Sequence, residues 1–366
     1  MSKARYIMIG GFLGAGKTTA VLALARYLRA AGKRPGLITN DQSFGLVDTA
    51  MLSSNGFDVE EIGGGCFCCR FNSLVEASEN LSRETRPDAF VAEPVGSCTD
   101  LRAAVSYPLR RIYGDDFEVA PLSVLVDPVR AERMLGLAEG RAFAPKVHYV
   151  YDKQLEEADA IVINKSDLLD TPRLERLQKA LAERYPHAAQ YVISARNGRG
   201  LDSWFDYLLT GTTGAQEAPE VDYEIYAEGE ALLGWLNATV RLTAAQEFDG
   251  NAFLQSLAAR IKDGMGTGEI AHLKMTLSPD EGNDIAVLNL VRNDASAEFS
   301  HQLQAPLTSG ELILNLRAEH DPELLWSSAQ EVLRAVSGEF GVQPAIEQHE
   351  FFRPAKPNPT HRMAVA

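Results

Sequence analysis

Short apolar runs rich in β-branched residues recur along the first part of the chain: RYIMI (5–9), PGLIT (35–39), AFVAE (89–93), LSVLV (122–126), AIVIN (160–164) and QYVIS (190–194). None alternates strictly between apolar and polar, so each predicts a strand buried on both faces. Strands of that kind, separated by helical stretches, predict an α/β parallel sheet with helices over both faces. The segment TTAVLALARYLRAAG (18–32) has helical spacing and helix-forming residues, with Gly32 as its stop.

The pattern changes after a Gly-, Thr- and Pro-rich stretch at 211–222, which reads as a linker between a domain at 1–210 and a second at 223–366. Strand-like GWLNATVRLT (234–243), a helix near 247–263, and the strand-like runs IAHLKMTL, IAVLNLV and ELILNLRA follow in order. Asp321, Pro322 and Glu323 are the residue types favoured at successive first-turn positions and predict a helix start. AIEQHEFF predicts a last strand before a Pro-rich tail. This order predicts a smaller α+β domain, ferredoxin-like with an added strand.

Composition narrows the class. The 366 residues are 45% apolar and 23% charged, enough for two cores. Lys plus Arg number 35 against 50 Asp plus Glu, a formal charge of −15, and no basic cluster stands out. Such a chain repels polyanions, which argues against nucleic acid or an anionic membrane as partner. No apolar run is long enough to span a bilayer. The opening MSKARYIMIGGFLGAG leads straight into KTT without a small-residue cleavage site, so it reads as a first strand rather than a signal, and the expected location is the cytoplasm.

The first run leads into GFLGAGKT, Gly11 to Thr18, which matches G-x-x-x-x-G-K-[ST] between a predicted strand and a predicted helix. Gly11, Gly14, Ala15 and Gly16 would turn backbone N–H groups around phosphate oxygens. Lys17 would bridge the outer phosphates, and Thr18 would hold Mg²⁺, with Thr19 next in the helix. AFVAEPVG puts Glu93 at a strand end, where it would hold Mg²⁺ through water, and Gly96 where its N–H would sense a γ-phosphate. IVINKSDLL supplies Asn164, Lys165 and Asp167. The Asp167 carboxylate would take both N1–H and the 2-amino group of guanine, a donor pair that adenine lacks. Ser194 and Ala195, in SAR, fit a backstop to that ring. The nucleotide expected is GTP or GDP.

Three of the four cysteines, Cys66, Cys68 and Cys69, sit behind Gly63, Gly64 and Gly65. Clustered thiols in a reducing compartment suit Zn²⁺ or another soft or borderline divalent ion. In an extended loop Cys69 would point away from the other two, so three ligands require a turn. Asp41, Cys98 or His148 could complete the set. Inert burial and redox sensing are the competing readings. His187, His272, His301, His320, His349 and His361 are scattered and read as surface or structural residues, and Trp204, Trp235 and Trp326 as core.

With GGFLGAGKTT, GCFCC, Glu93 to Gly96, QLEEADAIVINKSDLL and TNDQSFGLVD in this order, residues 5 to about 210 resemble the CobW-type GTPases, relatives of the hydrogenase and urease nickel-insertion GTPases. Asn40 and Asp48 keep that family's spacing, while Asp41 stands where Glu is usual. The resemblance implies a doubly wound P-loop sheet and slow GTP hydrolysis, with Lys17, Glu93 and Asp41 as catalytic residues. It also implies metal or cofactor insertion into a client metalloenzyme or cofactor-dependent protein, and it leaves a homodimer open. The C-terminal part does not match the usual companion domain and carries no histidine-rich run, and Cys98 is an addition. Two rival functions stand beside metal delivery: a nucleotide-switched protein chaperone that carries no metal, and a thiol redox switch.

Overall fold

The computed structural model describes residues 3–42, 47–212 and 217–365. Residues 43–46 of the Asn40–Asp48 segment and 213–216 of the expected linker lie outside the described residues. The chain forms two compact units. One takes Met1–Phe44, Asn55–Gly229 and Lys356–Ala366; the other takes Gly45–Ser54 and Glu230–Ala355.

The first unit holds β1 (Ala4–Gly11), α1 (Lys17–Ala30), β2 (Pro35–Asn40), β3 (Val59–Ile62), α3 (Phe71–Glu84), β4 (Ala89–Glu93), α4 (Tyr107–Tyr113), β5 (Phe117–Val119), β6 (Ser123–Val126), α5 (Pro128–Met134), α6 (Pro145–Glu156), β7 (Ala160–Ile163), α7 (Thr171–Arg184), β8 (Ala189–Val192) and α8 (Leu201–Thr210), and most of α9 (Tyr223–Ala231). Helix α2 (Val47–Ser54) belongs to the second unit. The strands run in the order β3-β2-β4-β1-β6-β7-β8, with β5 beside β1. The pairs are parallel, Ile7 against Val91 and Leu125 against Val162, for example. Every residue of β4, β6 and β7 is buried, so the middle of the sheet is covered on both faces, as their unbroken apolar runs require. Helix α1 buries Ala20, Val21, Leu24, Ala25 and Leu28 and stops where expected: Gly32 is left-handed at φ 73°, and the Lys33 N–H returns to the Leu28 carbonyl at 2.9 Å.

The second unit holds β9 (Gly234–Phe248), α10 (Gly250–Gly264), β10 (Ile270–Pro279), β11 (Ala286–Leu290), β12 (Glu298–His301), β13 (Leu307–Ala318), α11 (Pro322–Phe340) and β14 (Val342–Phe352). Its antiparallel sheet has the order β12-β11-β10-β13-β9-β14. Leaving out β11 and β12, the chain order β-α-β-β-α-β on this strand order is ferredoxin-like, extended at the β10 edge by two strands rather than the one expected. Residues of β9, β10 and β13 join α10 and α11 in one apolar core. Asp321 caps α11, its carboxylate accepting from the Glu323 and Leu324 N–H groups at 3.0 and 3.2 Å. Asp48 on α2 pairs with Lys274 of β10 inside this unit. Of the three tryptophans, Trp204 and Trp235 are fully buried, whereas Trp326 is only half-buried and stacks on His349 with ring centroids 4.4 Å apart.

Candidate functional site

In a parallel sheet the chemistry collects beyond the carboxyl ends of the strands, and the candidate residues follow that rule. Gly11 ends β1, Asn40 ends β2, Ile62 ends β3 ahead of the cysteines, Glu93 ends β4, and Asn164 follows β7.

The loop after β1 is held by its carbonyls. Lys17 Nζ donates to Gly11 O at 2.9 Å, Arg130 to Leu13 O at 2.7 Å, Lys165 to Gly14 O at 2.7 Å and Asn164 to Ala15 O at 2.9 Å. The Ala15 N–H is given to the Phe12 carbonyl at 3.1 Å, closing the turn, and a loop held this way at the start of α1 is where N–H groups would receive an anion. Gly16 has φ 89°, and a Cβ there would sit 2.5 Å from the Asn164 amide nitrogen, so only glycine lets that bridge close. The Asn164 Oδ1 accepts from the Ala195 N–H at 3.0 Å, tying loop, β7 end and SAR segment together. Lys165, itself left-handed at φ 52°, also pairs with buried Asp127 at 2.9 Å. Asp127 and Arg130 are neighbours of the loop that no sequence signal announced. Asp167 is exposed in a short 3-10 turn, and Ser194 is buried.

Thr18 Oγ1 donates to Glu93 Oε1 at 3.0 Å, and both residues are buried. Thr19 is half-buried on α1. Gly96 packs so closely on the loop that a Cβ would meet Leu13 Cδ2 at 2.8 Å and the Leu13 nitrogen at 3.0 Å. Its carbonyl accepts from buried Gln154 on α6 at 3.0 Å, and the same amide donates to the Cys98 carbonyl at 2.9 Å. Beyond Cys98, Asp100 is held in a left-handed conformation (φ 64°) by Tyr223 at 2.5 Å and Arg362 at 2.8 Å. Burial nonetheless raises its carboxyl above the usual range. Burial also pushes Glu157 up to about 8, although it accepts from the Arg102 N–H at 2.8 Å and the Thr99 hydroxyl at 3.3 Å.

The cysteine segment makes the turn that three ligands require: the Cys66 carbonyl accepts from the Cys69 and Arg70 N–H groups at 3.0 and 2.9 Å. Sulfur–sulfur distances are 2.9 Å for Cys66–Cys68, 3.4 Å for Cys66–Cys69 and 3.8 Å for Cys68–Cys69. A tetrahedral site with Zn–S of about 2.3 Å sets its sulfurs about 3.8 Å apart, so a modest widening would fit the ion. Cys66 and Cys68 are buried and Cys69 is half-exposed. Hydrogen bonding with Cys66, then with Cys69 and Cys98, together with burial, pushes the Cys68 thiol well up; bonding to Cys66 raises Cys69. His148 is not in the group and sits 2.6 Å from the Met134 carbonyl, and Asp41 lies just past β2, its Oδ1 accepting from the Gln42 N–H at 2.6 Å.

Two further contacts shape this segment. The Asn40 amide donates to Ile62 O at 2.8 Å and Gly65 O at 2.7 Å, fixing the glycine run against β2. The C-terminal tail returns to it. The Asn358 N–H donates to Cys69 Sγ at 3.2 Å, the Thr360 N–H to Cys68 O at 2.9 Å, and the Thr360 hydroxyl to Cys69 O at 3.1 Å. The ring of His361 meets Phe71 edge-on.

Among curated proteins the chain is similar to the zinc chaperone CobW of a Sinorhizobium species, 29% identical over 210 residues, covering 52% of this chain and 58% of the relative. It is also similar to the zinc chaperone YeiR of Escherichia coli K12, 32% identical over 178 residues, with coverage of 47% and 49%. The chain therefore spans about half the length of the curated relatives it matches. Among solved structures it is similar to the Zn(II)-bound YjiA GTPase of E. coli, 17% identical over 92% of this chain and 99% of that one, with a TM-score of 0.38. Among the described residues no helix is long and apolar enough to cross a membrane. The model of the CobW/HypB/UreG nucleotide-binding domain matches residues 5–192, just over half of the chain, and the chain belongs to that family.

Proposed function

We propose that this protein binds and slowly hydrolyses GTP, carries a divalent metal such as zinc on Cys66, Cys68 and Cys69, and releases it to a client metalloprotein according to its nucleotide state. One observation carries the reading: the cysteine turn and the loop after β1 follow strands β3 and β1 of one sheet, and the loop after β4 reaches both, Gly96 packing on Leu13 and Cys98 lying beside Cys68. The curated relatives, named zinc chaperones, support the cargo. The ligands fit the residues. Four loop carbonyls are already turned to donors, three sulfurs lie within 4.8 Å of one another, and the buried Ser194 Oγ and Asn40 Oδ1 have no hydrogen-bond partner among the described residues.

In this reading Lys17 stabilises charge on the phosphoryl group being transferred, and Gly11 to Thr19 cradle the phosphates. Thr18 and Glu93 would hold Mg²⁺, which supplies charge neutralisation on the phosphate oxygens when bound. Asp41 and Glu93 would supply the carboxylates at the transferring end, and Gly96 would report whether the γ-phosphate is present. Asn164 and Lys165 brace the loop while Asp167 and the Ser194–Ala195 turn select guanine.

The test is a zinc titration against a competing chelator in the GTP-analogue and GDP states. The expected result is affinities that differ by at least about fivefold, or ~1 kcal/mol, with GTP affinity changed by the same factor when zinc is bound. Equal affinities would leave the cysteines a structural role and end the delivery reading.

A further inference from the structure

The fourth cysteine lies outside the motif that carries the metal reading, yet several contacts bring it to the same place. The Cys98 thiol hydrogen-bonds the Cys68 thiol, and Cys98 is buried to within 1%. The tail links the two segments independently: Thr360 is bonded to Cys68 and Cys69, and the Arg362 guanidinium, two residues on, is bonded to the Asp100 carboxylate, two residues past Cys98. The Met363 N–H then donates to the Ala103 carbonyl at 2.9 Å, so the tail runs directly from the cysteine turn to the segment that carries Cys98. Cys98 stands outside the group of three sulfurs that lie within 4.8 Å of one another, beside its member Cys68. Three sulfurs are thus gathered and a fourth stands beside one of them. That is the set a tetrahedral thiolate site needs, with one ligand on a separate segment.

We propose that Cys98 is the fourth sulfur ligand, closing a four-thiolate site over a metal already seated on Cys66, Cys68 and Cys69. The inference rests on the metal-carrying reading above and adds the ligand that decides whether the site is closed or open. A closed set of four thiolates retains its ion, whereas three leave a position where a client's ligand can enter. Cys98 is suited to that role because it is two residues from Gly96, and Gln154 grips both carbonyls with one amide. A shift of Gly96 is therefore a shift of Cys98.

The experiment compares wild type with Cys98→Ser and Cys98→Ala, loaded with zinc for X-ray absorption and with Co²⁺ for sulfur-to-metal charge-transfer absorption. GDP binding serves as the control for folding. Four sulfurs are expected in the nucleotide-free wild type and three in either variant. The Co²⁺ charge-transfer intensity should fall by about one quarter, and zinc affinity by at least about tenfold. Variants that keep the wild-type sulfur count would overturn the proposal while leaving the three-cysteine reading standing. A wild type that takes up no metal would bring down both.

Discussion

The two loops to which the proposed function assigns the chemistry are built on opposite principles. The loop from Gly11 to Thr18 would bind with its backbone, and its shape is fixed by donors that seize carbonyls: Lys17 from within, Arg130 from α5, and Asn164 and Lys165 from the end of β7. The cysteine turn offers side chains. Its shape depends on Asn40 at its entry and on a tail nearly 300 residues away in sequence at its exit, the Asn358–Cys69 bond spanning 289 positions. A site whose walls are backbone is ready before its ligand arrives. One built of thiols held by contacts from separate segments can be widened or closed by moving any of them, and that suits cargo that must leave.

The largest expected effects break this comparison into two independent halves. Lys17→Ala should lower GTP turnover at least about a hundredfold by removing charge stabilisation at the phosphoryl group. Zinc affinity without nucleotide should stay within about twofold, because Lys17 contacts the loop and not the sulfurs. Cys66→Ser should do the reverse, losing zinc at least about a hundredfold while GDP binding holds. Steady-state turnover and chelator competition on both variants check the pair. If either substitution disables both activities, the two loops are one site.

Within the nucleotide half, base choice is the next largest effect. GDP should bind at least about a hundredfold tighter than ADP, some 2.7 kcal/mol, and Asp167→Asn should shift preference towards xanthine nucleotides. Calorimetry giving equal affinities for GDP and ADP would remove Asp167 from the base site.

The same contrast explains what could be read from residues alone. The first loop is legible because its defining residues are consecutive and sit between an apolar run and a helical one. The strands β1, β2, β4, β6 and β7 are equally plain, since burial on both faces leaves unbroken apolar runs, and β8 is legible from QYVIS although its four residues are only partly covered or exposed. Strand β3 was not, because VEEI is only partly covered and puts two glutamates in the middle of four residues. β5 and β12 are three and four residues long, too short for a period to register. The cysteines were visible as a cluster, and the need for a turn followed from strand geometry. The tail's part was hidden for a physical reason. KPNPTHRM has no hydrophobic period, and two of its three bonds to the cysteine turn described above run through backbone N–H groups, which every residue but proline possesses. Gln154 was hidden likewise, its two acceptors being backbone carbonyls in another segment.

Those two hidden contributors give the smaller predictions. Ending the chain at Lys356 removes the Asn358 N–H from Cys69 and both Thr360 bonds. Supports of this kind around metal ligands are worth about ten- to a hundredfold in affinity. Because the Cys66 turn bonds remain, we expect the low end, about tenfold weaker zinc binding with GDP affinity unchanged. Asn358→Pro, which deletes only the N–H facing Cys69, should recover part of that loss. If the shortened chain binds zinc as tightly as the whole, the tail covers the turn without shaping it.

The smallest effect probes the joint between the halves. Gln154 neither faces the phosphates nor belongs to the sulfur group, so Gln154→Ala should move each separate affinity, for GDP and for zinc, by less than about threefold. What it removes is the common hold on Gly96 and Cys98. A coupling of about fivefold corresponds to ~1 kcal/mol, and the two hydrogen bonds lost from a buried amide are each worth about that much. The substitution is therefore large enough to uncouple the sites without unfolding the loop, which keeps its anchors at Glu157 and Arg362. Zinc titrations in the GTP-analogue and GDP states should then give affinities equal to within about twofold. A variant that retains the full difference would show that nucleotide state reaches the cysteines by another route, such as Asn40 at the end of β2, which bonds the carbonyls of Ile62 and Gly65.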